Sequence, residues 1–460
     1  MPTARPRLAG TGRGWVGPVE QADVVVVGAG LAGLACAFEL ASVGRRVLLL
    51  EGRQVLGGRT SSWIEDGMPV ETGLHRYLGI YQALPGLLAR AGVPIDDIVQ
   101  WEYTIEIRTP EGPRGVFGIA PFYRPLTTLA SLLGNNALLS PIDKISLLPM
   151  FTAGLVDYWL NPERLDQRSA LGYARGPLAT RRARQRVVTP LSTGLFFLPP
   201  DRYSAYAFFM PAALSLRRLT ELRAGVFLGG MTEVMANPLA AAIKRRGGEV
   251  QAGTRVSRLR VQQGRVTGVV ADGVTVEARH VVVATSLRPA QRLLAPFSSH
   301  PWVRPMMALP SMPVVTIQFE LDRPSMPLDR TTFGPGTALA SFAEQSRTTF
   351  PHTPGRLSVI LAAPERFLGL RPEEICQITV NDAVRLGIEL EGHILRYRVV
   401  RLLDDFYSLA PGHHHLRPDQ ETPIPGLSLA GDYTRQPLLG TMEGAVISGQ
   451  LAARSVLAAR

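Results

Sequence analysis

Residues 23–33, DVVVVGAGLAG, constrain this chain more than any other stretch of it. An unbroken β-branched run reads as a strand buried on both faces, the habit of parallel sheets. The apolar residues from Leu31 to Val43 then read as a helix closed by Gly44, and a second apolar strand, Arg46 to Leu50, ends on Glu51. Strand, helix and strand make one βαβ unit of about thirty residues. At its turn Gly28, Gly30 and Gly33 match the spacing G-x-G-x-x-G. The first glycine permits the tight turn, the second lets backbone approach a pyrophosphate, and the third lets helix and strand pack closely. Leu31 and Ala32 open the helix, whose N-terminus offers free N–H groups and a positive dipole end to phosphate. The expected fold class is α/β, with a Rossmann-type, doubly wound domain that binds a dinucleotide.

Glu51 lies 23 residues past Gly28, where a carboxylate accepts both ribose hydroxyls and repels a 2′-phosphate. NADP is disfavoured on that ground; the plain alternative is a solvated strand end. Downstream, Gly57-Gly58-Arg59-Thr60 sets a flexible turn and an arginine after the second strand. A guanidinium there can bond a pyrophosphate bidentately from the side opposite the glycine loop. Its alternative is a surface turn with a solvated arginine.

With 460 residues, 46% of them hydrophobic, the chain exceeds one ordinary domain, and two intertwined ones are expected. The two cysteines, Cys36 and Cys376, form neither a disulfide framework nor a metal-ligand spacing, which fits a reducing cytoplasm. Residues 1–21 carry Arg5, Arg7 and Arg13 without an apolar run, and read as a disordered tail, not a secretory signal. The net charge of +11 is nearly all arginine. It reads either as a solvated surface or as attraction to anionic lipid; without a basic stripe interleaved with aromatics, no nucleic acid is expected. His413, His414 and His415 are adjacent and point different ways, so a solvated loop is expected and no metal site.

Between Phe117 and Leu160 the chain is apolar but interrupted by Pro121, Pro125, Pro141 and Pro149, which predicts short helices lying in a membrane interface, or a buried lid. A second apolar tract, Leu191 to Leu216, holds Phe196, Phe197, Tyr203, Tyr206, Phe208 and Phe209, which either line a tunnel or pack a core. Regular texture returns with a helix over Pro238–Arg246, strands from Glu249 to Val261, Arg265 to Ala271, Val274 to Ala278 and His280 to Ala284, a strand Leu427–Ala430 and a helix from Met442 to the end.

Beyond GGRT, four stretches are diagnostic: ETGLH at 71–75 with GIY at 79–81; GGEV at 247–250 with TRV at 254–256; VVVAT at 281–285; and LAGDYT at 429–434 with MEGAV at 442–446. Together they resemble the flavin monoamine oxidase superfamily, and within it the plant and cyanobacterial phytoene and zeta-carotene desaturases. The resemblance implies FAD, held by a domain assembled from residues 22–110, 240–300 and 400–460. An inserted mixed α+β substrate and membrane-facing domain takes 111–239 and 301–399. To the cofactor positions Gly28, Gly30, Leu31, Ala32, Gly33, Glu51, Gly57, Gly58 and Arg59 it adds Val256 at the adenine, Ala284 near the phosphates, Gly431 and Asp432 at the ribityl chain, and Thr441 and Met442 at the flavin. Arg255 and His75 are the catalytic candidates, each equally readable as structural.

Thr441 stands where amine oxidases of the superfamily place a cage aromatic, and neither Lys144 nor Lys244 is placed as their flavin-facing lysine, which argues against amine oxidation. The implied reaction is hydride transfer from a long apolar polyprenoid or carotenoid to flavin N5, with reoxidation by a quinone or oxygen. Hydroxysqualene dehydroxylase, carotenoid isomerase and a non-enzymatic FAD-containing assembly subunit stand as alternatives. The location implied is cytoplasmic, peripherally bound to the inner face of the membrane; the oligomeric state is left open.

Overall fold

The computed structural model describes residues 22–110, 112–175, 179–196 and 198–459, so the expectation for residues 1–21 and the reading of Phe197 lie outside the described residues. The glycine-rich run forms a strand, Ala22–Val27, at the centre of a seven-stranded sheet. It pairs in parallel with Val47–Glu51 on one side and with the end of Val274–Val283 on the other. Glu249–Ala252 extends the sheet beyond Val47–Glu51, and Leu427–Leu429 lies parallel to the same end of Val274–Val283. The glycine-loop helix, Leu31–Ser42, is buried except at Glu39 and Ser42, because it is wedged between the helices Asn237–Arg245 and Met442–Ala458. A Cβ on Gly449 would stand 2.1 Å from the Ala32 carbonyl oxygen, so a glycine there sets the close approach of the last helix.

Residues 274–283 form one strand where two were expected. Its first half alternates exposed and buried side chains and pairs antiparallel with Arg265–Ala271; its second half is buried throughout and runs parallel in the central sheet. The change from alternating to continuous apolar sequence marks a change of partner, not a chain break.

A second seven-stranded sheet runs, in spatial order, through Ile394–Tyr407, Ser311–Leu321, Gly355–Leu361, Leu339–Glu344, Thr332–Phe333, Thr104–Arg108 and Arg114–Gly118. Thr104–Arg108 lies inside a segment expected in the flavin domain, and Ile394–Tyr407 straddles the expected boundary at residue 400, so this sheet draws on both expected domains. The small sheet Tyr77–Leu78, Ala224–Phe227 and Val99–Glu102 likewise ties the middle of the chain to its first segment.

The apolar tract departs from expectation too. Pro125 and Pro141 each start a helix, where a missing N–H costs nothing. Pro149 sits inside one 20-residue helix, Pro141–Leu160, instead of breaking it. Ser140 and Asp143 form a capping box at that helix's start. Its buried stripe is narrow: Met150, Gly154 and Tyr158, spaced four apart. The tract is not a buried lid, because the helix Pro125–Leu133 buries no residue, and Leu126, Leu133, Ile142 and Leu148 are 80%, 69%, 72% and 66% exposed. No helix among the described residues is long and apolar enough to cross a membrane.

Candidate cofactor and active site

Gly28 turns the chain at φ +105°, and a Cβ there would lie 2.9 Å from the Ala284 carbonyl oxygen. A Cβ on Gly33 would lie 1.9 Å from the Gly28 oxygen, which is the close helix–strand packing expected of the third glycine; Gly33 does not itself line the cavity. The N-cap, Gly30, has no side chain to satisfy the first turn, and the first intrahelical bond is Leu34 N–H to Gly30 O at 2.9 Å. The N–H groups of Leu31, Ala32 and Gly33 are thus left for an anion. Gly30 bridges to Gly57, and the Gly57 N–H donates to Ala29 O at 2.9 Å, so the two glycine turns form one cradle.

Glu51 is no solvated strand end. Its carboxylate accepts from the Ala29 N–H at 2.8 Å and from the Arg53 N–H at 2.9 Å, fixing the glycine loop while it lines the cavity. Nor is Arg59 a surface residue: its guanidinium is ion-paired with Asp432, which is 2% exposed, and lies 4.6 Å above the Phe406 ring. Asp432 holds the Arg59 cation above its ordinary range. Arg59 and Asp432, expected at pyrophosphate and ribityl chain, therefore meet on one wall.

His75, a catalytic candidate, lines the cavity and also holds the Arg59 turn. Its Nε2 donates to the Arg59 carbonyl at 3.0 Å, beside a second bond to that oxygen from Thr72 Oγ1 at 2.6 Å. Burial pushes the ring down to about 4, so it is neutral at physiological pH. Arg255, the other catalytic candidate, lines the cavity too. Thr254 N–H donates to Glu51 O at 2.8 Å, and the Arg255 Cβ is 3.6 Å from where a Cβ on Gly52 would stand, so Arg255 sits at the adenosine end with Val256, away from the Thr441–Met442 helix start.

That helix start forms the other end of the cradle. Thr441 caps it, its Oγ1 accepting from the Gly444 N–H at 3.0 Å and donating to Leu438 O at 2.8 Å. The N–H groups of Met442 and Glu443 are left without intrahelical acceptors, at the positive end of the helix dipole.

One cavity of about 690 Å³ joins these parts: Glu51, Arg255, Val256 and Ala284, then Gly28, Gly30, Leu31, Ala32, Gly57, Gly58 and Arg59, then Gly431, Asp432, Thr441 and Met442. Beyond the helix start its wall is mainly apolar, with Leu74, Leu78, Phe196, Met210, Pro211 and Phe333, interrupted by Arg76, Thr331 and Ser341. Of the aromatics, Phe196 lines the cavity; Tyr203, Phe208 and Phe209 are buried core, and Tyr206 stacks on Tyr158 at 4.8 Å.

Sequence reasoning passed over Glu443. Its buried carboxylate accepts from the N–H groups of Gln82, Ala83 and Leu84 at 2.7, 2.7 and 2.8 Å, capping the helix Ala83–Ala91 from across the fold. A charged residue in an otherwise apolar helix opening, MEGAV, was the available signal. Glu71 and Arg356 were also missed: Gln318 accepts from the Glu71 N–H at 3.0 Å and from Arg356 Nη2, tying the hairpin Ser62–Glu71 to the second sheet. Burial pushes the Glu71 carboxyl up to about 7. The histidine run is not simply solvated: His413 Nδ1 meets Ser408 Oγ at 2.9 Å and the His414 ring lies 4.6 Å from that of Tyr206. No group of side chains among the described residues could hold a metal.

An uncapped helix N-terminus over a cradle that a Cβ would fill, with Glu51 at one end and Asp432 beside Arg59, fits a dinucleotide carrying a ribityl chain. The protein is an FAD-dependent oxidoreductase. Residues 31–457 match the model of the flavin containing amine oxidoreductase family, and the chain belongs to that family. It is 30% identical over 459 residues to the 15-cis-phytoene desaturase of Arabidopsis thaliana, covering 96% of this chain and 81% of that one. To the 15-cis-phytoene desaturase of Synechococcus elongatus it is 29% identical, with coverage of 95% and 96%. A probable zeta-carotene desaturase of the same organism is 27% identical, with coverage of 95% and 99%. A putrescine oxidase solved with putrescine shares the fold, with a TM-score of 0.73 at 20% identity and coverage of 95% and 99%.

Proposed function

We propose that this chain is a carotene desaturase-like enzyme that dehydrogenates a long apolar polyprenoid, a carotene of the phytoene or zeta-carotene kind, at a membrane surface. The observation that carries the reading is the division of the cavity. Its cofactor half is polar and its far half mainly apolar, and the only carboxylates lining it, among the described residues, are Glu51, Asp405 and Asp432. Each is engaged on the cofactor side: Glu51 with the glycine loop, Asp405 with Ser286 Oγ at 2.9 Å and Arg53 at 3.5 Å, Asp432 with Arg59.

Bound FAD supplies a two-electron acceptor for hydride. The residues of the chain supply the rest. The helix start at Met442 favours negative charge at its N–H groups. The apolar wall excludes water and holds a carbon chain. Loss of hydride from an allylic carbon and of a proton from its neighbour forms the double bond. Dehydroxylation would be served by a carboxylic acid beside the departing hydroxyl, and the lining carboxylates, among the described residues, are all engaged on the cofactor side. The relatives named phytoene and zeta-carotene desaturases support the same substrate class.

Such a substrate resides in the bilayer. The exposed leucines and isoleucines of Pro125–Leu133 and Pro141–Leu160 suit a helical face lying in the interface. Arg217, over the Trp159 ring at 4.3 Å, and Arg182, whose Nε donates to Leu138 O at 2.9 Å, stand beside that face and suit anionic lipid. A quinone in the same membrane, or oxygen, would reoxidise the enzyme, and the location proposed with this reading is cytoplasmic, at the inner face of that membrane.

Anaerobic mixing with phytoene or zeta-carotene in anionic liposomes tests this: flavin absorbance should bleach, and added quinone should restore it. Flavin that stays oxidised with both carotenes, while hydroxysqualene or a cis-polyene is converted, would overturn the substrate assignment.

A further inference from the structure

Arg255 ends the turn between the strands Glu249–Ala252 and Val256–Gln262, and its backbone is pinned from both sides. Its N–H donates to Asp272 Oδ1 at 3.3 Å, and its carbonyl accepts from the Asp272 N–H at 3.0 Å. Its side chain is not pinned: it is exposed, it lines the adenosine end of the cavity, and among the described residues its guanidinium has no ion pair. The neighbouring arginines differ, since Arg53 faces Asp405 at 3.5 Å and Arg292 faces Asp404 at 3.9 Å. Pro289 and Leu293 give the same mouth an apolar wall. Gly52 leaves room along the Arg255 stem, where a side chain would crowd it.

We infer that Arg255 lays its guanidinium plane on the adenine of FAD and so anchors the adenosine half of the cofactor. The inference rests on FAD as the cofactor. An unpaired planar cation beside an apolar wall suits the face of a neutral aromatic base. An anionic group is the poorer occupant, because the Glu51 carboxylate stands at this end and the other two arginines already face carboxylates. Arg255 therefore acts on cofactor retention and not on the reacting carbon.

The test titrates full-length apoprotein, wild type and variants, with FAD, ADP and FMN. Arg255→Ala should weaken FAD and ADP by about tenfold, the range of a stacked base, and leave FMN unchanged. Arg255→Lys keeps the charge without the plane and should recover little of the loss. Unchanged FAD affinity in Arg255→Ala, an equal loss for FMN, or full recovery in Arg255→Lys would each overturn the inference. A wild-type apoprotein that fails to bind FAD would instead count against the cofactor assignment itself.

Discussion

Glu51 is where nucleotide retention and the shape of the glycine loop meet, so its replacement has a consequence that can be worked through. Glu51→Gln preserves volume but gives up the charge and one acceptor. Its remaining oxygen can keep either the Ala29 N–H, now at 2.8 Å, or the Arg53 N–H, now at 2.9 Å; the amide then presents a donor to the other donor. A hydrogen bond to a charged group contributes about 1.5–3 kcal/mol, and the bond to Arg53 is solvent-exposed, so a stability loss of about 1–2 kcal/mol is expected. The weaker acceptor for the ribose hydroxyls should lower FAD affinity a further ~10- to 100-fold. Glu51→Arg goes beyond this, setting a cation against the loop N–H groups, and should abolish retention. The assay is FAD released on denaturation per mole of protein after exhaustive dialysis, with circular dichroism to verify the fold. A well-folded Glu51→Arg protein that keeps full FAD would refute the reasoning.

Replacing Leu129 and Ile145, which are 54% and 64% exposed, by aspartate should leave the melting temperature nearly unchanged and abolish flotation with anionic liposomes; unaltered flotation would place the membrane contact elsewhere. Glu443→Gln loses the charge that three backbone N–H groups share, and should destabilise by about 2–3 kcal/mol in denaturant titration, with the helix Ala83–Ala91 exchanging its amide hydrogens first. Acid should act through the buried imidazoles. The pKa values of His75 and His280 are lowered from 6.5 to about 4, so the unfolded chain binds more protons below pH 6.5 and stability falls from there toward pH 4. For His280, 9% exposed, the loss is about 2–3 kcal/mol at the acid end, and His280→Gln should remove that part of the slope.

The cofactor cradle was legible because each of its tasks is local. A turn at positive φ, an uncapped helix and a carboxylate at a strand end leave marks within about thirty residues of one another. The parallel sheet was legible from continuous apolar runs, although the single strand 274–283 had to change partners midway, which periodicity alone reads as two strands. What stayed illegible has a common source. Arg255 and His75 occur in segments shared with desaturases, and their placement depends on which strand end lies beside which. That is a property of sheet order, with Glu249–Ala252 added next to Val47–Glu51, and it leaves no trace in spacing. Glu443 and Glu71 serve partners hundreds of residues away, so a sequence read in windows finds a charge without its purpose.

The helix Ala205–Ser215 explains how an exposed apolar surface and a cofactor site can share one fold. On one side it receives the helix Pro141–Leu160: a Cβ at Gly154 would stand 2.2 Å from the Phe209 ring, so the glycine lets that long, largely exposed helix settle directly on the ring. On the other side Met210 and Pro211 line the apolar half of the cavity, and Met210 Sδ accepts from the Leu439 N–H at 3.3 Å, three residues before Met442 opens the last helix. Pro211 removes one backbone donor from the interior of the helix at the residue that faces the cavity. A single helix therefore touches the layer of exposed apolar side chains, the apolar wall of the cavity and the loop that leads to the flavin end. Close packing makes such an element respond as a unit, because neither the Gly154–Phe209 contact nor the Met210–Leu439 bond has slack to absorb a shift. Under this reading, anything that displaces the Pro141–Leu160 helix also displaces the wall that holds a carbon chain.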